Sequence, residues 1–185
     1  MGRMYNKLFR PLLCLSGVFA LLSVAPSVAA SPFGQGVFGA QVPFGSVTSM
    51  SISLGSNVNL SLTPSGATFV GSGSHIITVT STDVVGYSLY IQSPNTNMVS
   101  STDTIPASSN TSAGALATNT WGYNIDGSSN YIGMTTAPTL LKTGTGPFYD
   151  TSDTTTVTYG VLTDITKGNG DYTVTVTYTA VALNY

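Results

Sequence analysis

Residues 172–180 read Tyr-Thr-Val-Thr-Val-Thr-Tyr-Thr-Ala, and this strict alternation constrains the chain more than any other feature. Tyr172, Val174, Val176, Tyr178 and Ala180 share one parity, while Thr173, Thr175, Thr177 and Thr179 share the other. An extended backbone sends successive side chains to opposite faces, so the segment predicts a strand with one apolar and one hydroxyl face. Threonine suits the wet face because its branched Cβ favours extended backbone while its hydroxyl meets water.

The same period recurs upstream. Residues 51–54 and 57–62 carry apolar side chains at alternate positions, and Thr63-Pro64-Ser65-Gly66 supplies turn residues after them. Residues 76–80 and 84–92 are expected as two more strands, with Tyr87, Leu89 and Ile91 on one face. Residues 120–125, carrying the single tryptophan Trp121, then 131–134 and 154–163, complete the set. Between them, residues 93–118 are mostly Ser, Thr, Asn and Ala and predict a long loop with at most a short strand. A loop of that length is uncommon in a compact domain and often carries binding function. Residues 126–130 predict a turn, and 143–153 a second polar loop. No helix of ten or more residues is predicted after residue 30. The expected fold is all-β: a single antiparallel Ig-like β-sandwich over residues 47–185.

The N-terminus has a different composition. Arg3, Lys7 and Arg10 precede an apolar run from Leu12 to Val24, and Ser27-Val28-Ala29-Ala30 offers small residues for peptidase cleavage. These are the three parts of a secretory signal, so residues 1–30 are expected to be a cleavable signal peptide and the chain to be exported to the cell surface or medium. The apolar run is shorter than the roughly 20 residues that span a bilayer, so membrane contact is expected only through an uncleaved leader. The sole cysteine, Cys14, lies within it, which excludes a disulfide scaffold. Residues 31–46, with Gly and Pro among Phe33, Phe38 and Phe44, predict an extended arm or linker. Those phenylalanines are candidates to dock as an extended strand on the same domain or on a neighbouring subunit.

Composition then narrows the function classes. Only 6% of residues are charged, against about a quarter in ordinary domains. Residues 31–185 hold two lysines against seven aspartates, a formal charge of −5, and no glutamate. Two lysines cannot build the cationic surface that nucleic acid requires. Ser and Thr, 49 of these 155 residues, supply the polar surface instead.

Three segments carry a resemblance: Val85-Gly86-Tyr87-Ser88-Leu89-Tyr90-Ile91, Asn119-Thr120-Trp121-Gly122-Tyr123-Asn124, and residues 170–178 from Gly170-Asp171-Tyr172 to Tyr178. With Tyr159-Gly160-Val161 between the last two, their order resembles secreted β-sandwich domains of bacterial cell-surface proteins, of the candidate-phylum type and distantly WxL-domain-like. The resemblance covers about residues 47–182. The WxL tripeptide itself is missing, with Val176-Thr177-Tyr178 in the corresponding place. The resemblance implies an extracellular structural domain and brings no catalytic residues with it.

The residues themselves offer little chemistry. His75 is the only histidine and is expected at a surface or strand edge, without the partner and nucleophile a general base needs. Gly71-Ser72-Gly73-Ser74-His75 does not match the GxSxG elbow. One histidine without a cysteine after residue 30 cannot make a zinc site. No cofactor is expected. Calcium is the one ion that loop aspartates could hold, at residues 150–153 or 126–130, against ordinary turn chemistry for the same residues. A Lys–Asn crosslink would need Lys142 or Lys167 buried beside an asparagine and an acid. Trp121, Tyr123 and Tyr131 are candidates for a sugar-binding platform or, alternatively, for core packing. Two functions stay open: a non-catalytic surface structural or interaction protein, partnered by itself or other surface proteins, and a secreted carbohydrate- or ligand-binding module.

Overall fold

A computed structural model describes residues 49–82 and 84–183; the expected signal peptide and the arm with Phe33, Phe38 and Phe44 lie outside the described residues. Ten strands and no helix are found among the described residues. They are β1 (Ser49–Leu54), β2 (Thr63–Ser65), β3 (Thr68–Thr82), β4 (Gly86–Gln92), β5 (Met98–Val99), β6 (Thr104–Ile105), β7 (Thr120–Asn124), β8 (Thr139–Thr145), β9 (Phe148–Asp164) and β10 (Thr177–Leu183). One sheet has the order β1-β3-β9-β7, with β2 also paired to β3, and a second has the order β10-β4-β8. Strands β5 and β6 form a separate ribbon. Every ladder is antiparallel, and the sheets are arranged as a sandwich.

Parity decides what is inside. Ile77 and Val79 of β3, Tyr87, Leu89 and Ile91 of β4, Trp121 and Tyr123 of β7, and Val157, Tyr159 and Val161 of β9 all point into one core. Burying a side chain of this size contributes about 1.5–3 kcal/mol, so these rows dominate the stability. Hydroxyl side chains occupy the opposite parity and pair across strands. Ser49 and Thr82 share a 2.8 Å hydrogen bond, and Ser51 and Thr80 one of 2.5 Å.

The sheets are tied together where β8 turns into β9. Asp153 accepts hydrogen bonds from Tyr87 Oη and Lys142 Nζ, both at 2.6 Å, joining β4, β8 and β9. Burial opposes the charged form of Asp153, but the Lys142 and Tyr87 hydrogen bonds outweigh it and hold the carboxyl below its ordinary range.

Several expected boundaries move. The polar residues 143–153 form the ends of β8 and β9 rather than a loop, and only Gly146-Pro147 turns. Their Ser and Thr side chains suit the hydroxyl face of a long hairpin as well as they suit a loop. Residues 63–65 are strand, not turn, because Gly66 takes the left-handed φ of 63° that a tight hairpin needs. Strand β3 begins at Thr68, eight residues before the expected start, running through two glycines. Residues 131–134 make isolated bridges, Gly114↔Tyr131 and Tyr123↔Ile132, instead of a strand. Strand β10 begins at Thr177, and residues 57–62 form no ladder at all.

Candidate functional site

Those last two departures define a concave feature among the described residues. Strands β1 and β2 pair with different stretches of the same edge of β3, at residues 77–82 and 68–70. The connecting segment leaves that edge after Gly55, whose N–H still reaches the Ile76 carbonyl at 2.9 Å. It then crosses the inner face of β3. A Cβ at Gly73 would stand 2.8 Å from Val58 Cγ1 and 2.9 Å from Leu60 Cδ2, so only glycine leaves room for this crossing. The glycines in β3 thus exist for a neighbour's side chains.

Across from it runs the segment 170–176, the N-terminal extension of β10. Thr173 exchanges both backbone hydrogen bonds with Val99 at 2.9 Å, and the Ser93 hydroxyl donates to the Thr175 carbonyl at 2.6 Å. The partners of this segment therefore lie on its β4–β5 side. In an antiparallel pair successive residues direct their N–H and C=O groups to alternate edges, so Tyr172, Val174 and Val176 direct theirs the other way. There the groups meet no strand among the described residues.

Between the two segments lies a groove of about 900 Å³. Val58, Leu60 and Leu62 form one wall, Tyr172, Val174 and Val176 the other, and His75, Tyr159 and Val161 lie at its base. All six wall residues keep their predicted parity, yet none is fully buried, and Leu62 remains 41% exposed. Ile52 and Leu54 continue the uncovered apolar row along β1, where they face the parity of buried Val79 and Ile77. Contiguous exposed apolar surface of this kind makes the groove and this row the candidate site.

His75 lies on β3 between the stretches that β1 and β2 cover, laddered to Val157 of β9 on one side only and half-buried in the groove. Its Nε2 lies 2.8 Å from Tyr178 Oη, which in turn hydrogen-bonds Tyr159 Oη. Desolvation lowers the imidazole pKa despite a hydrogen bond with the Ser56 backbone, so the neutral ring is favoured. Burial pushes the Tyr159 hydroxyl up to about 12 and Tyr178 higher still. The cluster is a hydrogen-bond chain of an imidazole and two phenols, with no carboxylate hydrogen-bonded to it among the described residues.

The aromatic platform residues are not brought together. Trp121 and Tyr123 point into the core, at 0% and 2% exposure, and the indole N–H donates to the Thr96 carbonyl at 2.9 Å. Tyr131 lies on the opposite face of that sheet, its ring over Gly160 and its Cβ against Gly122. Parity separates them, so no common ring surface faces solvent. Of the aspartates expected as calcium candidates, Asp126 accepts the Ser128 N–H at 3.0 Å in a turn and Asp153 holds Lys142 and Tyr87, while the side chain of Asp150 lies outside what the structure describes. No group of three or more His, Cys, Asp or Glu side chains suited to a metal lies among the described residues. Lys142 and Lys167 pair with Asp153 and Asp103 at 2.6 and 3.0 Å.

The groove itself was missed in the sequence. The paired glycines at 71 and 73, in a stretch otherwise able to be strand, are the signal that a neighbouring segment crosses closely there. No known protein family, curated protein or solved structure matches this chain.

Proposed function

We propose that the chain is an exported, non-catalytic structural and interaction protein of the cell surface, a subunit of a surface assembly, whose Ig-like sandwich joins partners by strand addition. The observation that carries this reading is the groove between two extended, alternating segments, with backbone groups of Tyr172, Val174 and Val176 along one side that meet no strand among the described residues. Strand addition draws affinity from main-chain hydrogen bonds and specificity from alternate side chains, and both elements are present there. The leader-like residues 1–30 and the ordered segments resembling WxL-like surface domains support the exported, surface-bound part. Cell fractionation with native sizing of the exported chain tests it. High-mass species in the surface fraction are expected; a clean monomer in the medium overturns the reading.

A secreted carbohydrate-binding module is the second reading, favoured by the half-buried rings of Tyr172 and Tyr178 in the groove wall. Calorimetric titration against a glycan panel separates the two, since heat on adding a glycan to the monomer supports only the second.

A further inference from the structure

We propose that His75 is a pH-sensitive latch across the groove, holding the wall that starts at Ser56 to the wall that ends at Tyr178 at neutral pH and letting them part in acid. The latch does not depend on what the groove takes, so it stands apart from the surface-assembly reading. Segment 56–62 leaves the edge of β3 after Gly55, and the imidazole hydrogen-bonds the Ser56 backbone just past that point. On the other side Nε2 lies 2.8 Å from Tyr178 Oη of β10, 103 residues along the chain. Tyr178 Oη also meets Tyr159 Oη of β9. The ring sits tilted against both phenols, its centroid 5.4 Å from that of Tyr178 and 5.9 Å from that of Tyr159. No ladder joins segment 57–62 to segment 172–176 among the described residues, so the ring supplies a polar link between walls that backbone pairing leaves separate.

The row Ser56–His75–Tyr178–Tyr159 has three contacts, and a neutral ring brings three protons to fill them. The backbone contact favours the charged ring, which identifies its acceptor as the Ser56 carbonyl. The ring N–H therefore donates to Ser56, Nε2 accepts from the Tyr178 hydroxyl, and Tyr178 Oη accepts from the Tyr159 hydroxyl. This assigns the tautomer with its proton on Nδ1. An imidazolium brings a fourth proton to the same three contacts. Either the Tyr178 proton loses its acceptor, or the row reverses and strands the proton of Tyr159, which is only 7% exposed. Phenol faces attract a cation, but more weakly than a buried hydroxyl is penalised on losing its acceptor. The surplus is relieved when the ring turns into the water of the groove, which breaks the Tyr178 contact and frees Ser56. Among the described residues packed around it, only the imidazole changes charge in acid. Burial pushes Tyr123 of β7, Tyr159 and Tyr178 above the ordinary phenol value, and segment 55–62 has no titratable side chain. Asp171, the carboxylate lining the groove, makes no hydrogen bond to the ring, and the Tyr172 hydroxyl donates to the Gly168 carbonyl instead. Desolvation holds the latched imidazole below its ordinary 6.5, so a released ring takes the proton first and release grows as pH falls below that value.

A single histidine makes the test direct, because every imidazole signal of the untagged chain belongs to His75. Long-range proton–nitrogen spectra of the full chain, recorded between about pH 7.5 and 4.5, read its tautomer and its titration. The expected tautomer is Nδ1–H at neutral pH, with a midpoint below 6.5. Spin labels on the exposed positions Asn59→Cys and Thr173→Cys, with Cys14→Ser removing the native thiol, read the distance between the walls. That distance is expected to lengthen and broaden through the His75 midpoint. His75→Asn, which cannot titrate, is expected to remove the response to pH. Tyr178→Phe is expected to raise the midpoint and to show the released distance already at neutral pH. An Nε2–H tautomer, a midpoint at or above 6.5, a wall distance indifferent to the titration, or an unchanged response in His75→Asn overturns the latch. Should Tyr178→Phe fail to fold, the tautomer, midpoint and wall distance of the chain with His75 intact still decide. None of these readouts uses native sizing, so the latch and the surface-assembly reading can fail separately.

Discussion

Where β8 turns into β9, the two sheets are closed by Tyr87 packed edge-on against Phe148 and by the Asp153–Lys142 pair, all buried or held by short polar contacts. Along segments 57–62 and 170–176 the same sandwich is open, although its side chains alternate just as regularly. The contrast shows that amphipathic patterning and sheet closure are separate properties. At the closed side each alternating strand has a backbone partner, so its apolar row sinks below the solvent boundary. At the open side the row is present but has no strand partner among the described residues, and its side chains stay only partly buried.

If that division of labour is right, substitutions on the two sides should separate fold stability from assembly. The largest effect on stability is expected from Trp121→Ala, which empties the buried core and leaves the Thr96 carbonyl with the Ala107 N–H alone, at a cost of about 3–5 kcal/mol. Urea unfolding checks this, and a loss below about 1 kcal/mol would mean that stability does not reside in the buried rows. Asp153→Asn should cost about 1–3 kcal/mol by leaving Lys142 and Tyr87 with a weaker acceptor. It should also flatten the acid limb of the stability curve. The wild-type carboxyl has a depressed folded pKa, so its contribution is present above the ordinary value of 3.8 and is lost as pH falls through the folded pKa.

Gly73→Val tests the open side's wall. The added methyls displace Val58 and Leu60, with an expected cost of about 1–3 kcal/mol and a larger groove that binds less tightly. An unchanged unfolding midpoint would show that segment 57–62 is not pinned at this crossing. Smaller still is Val174→Asp, which should change monomer stability by about 1 kcal/mol or less while eliminating high-mass species on native sizing. Intact assembly in that variant would remove the groove from the interface. Last, His75 should make stability fall gently as pH drops below 6.5 toward its lowered folded pKa, because the unfolded ring takes up the proton first. His75→Asn should erase that slope in thermal melts recorded across this range.

How much of this could be read from residue order differs by element. The inward row of β4 was legible, since Tyr87, Leu89 and Ile91 stand on the parity the alternation assigns, and β7 and most of β9 were legible as strands. The β8–β9 hairpin was not, because Thr143, Ser152 and Thr154 are equally at home in a polar loop and on a hydroxyl-faced strand. Trp121, Tyr123 and Tyr131 looked like one cluster because they are close in sequence. Their separation depends on Tyr131 returning over Gly160 and Gly122 on the other side of the sheet.

Residue order by itself determined that the chain is extended, which side chains share a face, and that hydroxyls rather than ions meet the solvent. Tertiary structure alone decided which extended segments obtain partners. The physical reason is geometric: side chains project perpendicular to a sheet, where alternation records them, whereas hydrogen bonds lie in its plane, where alternation is silent. Residues 172–180 carry one unbroken pattern, yet only the part from Thr177 onward is laddered to β4, and the rest borders the open groove.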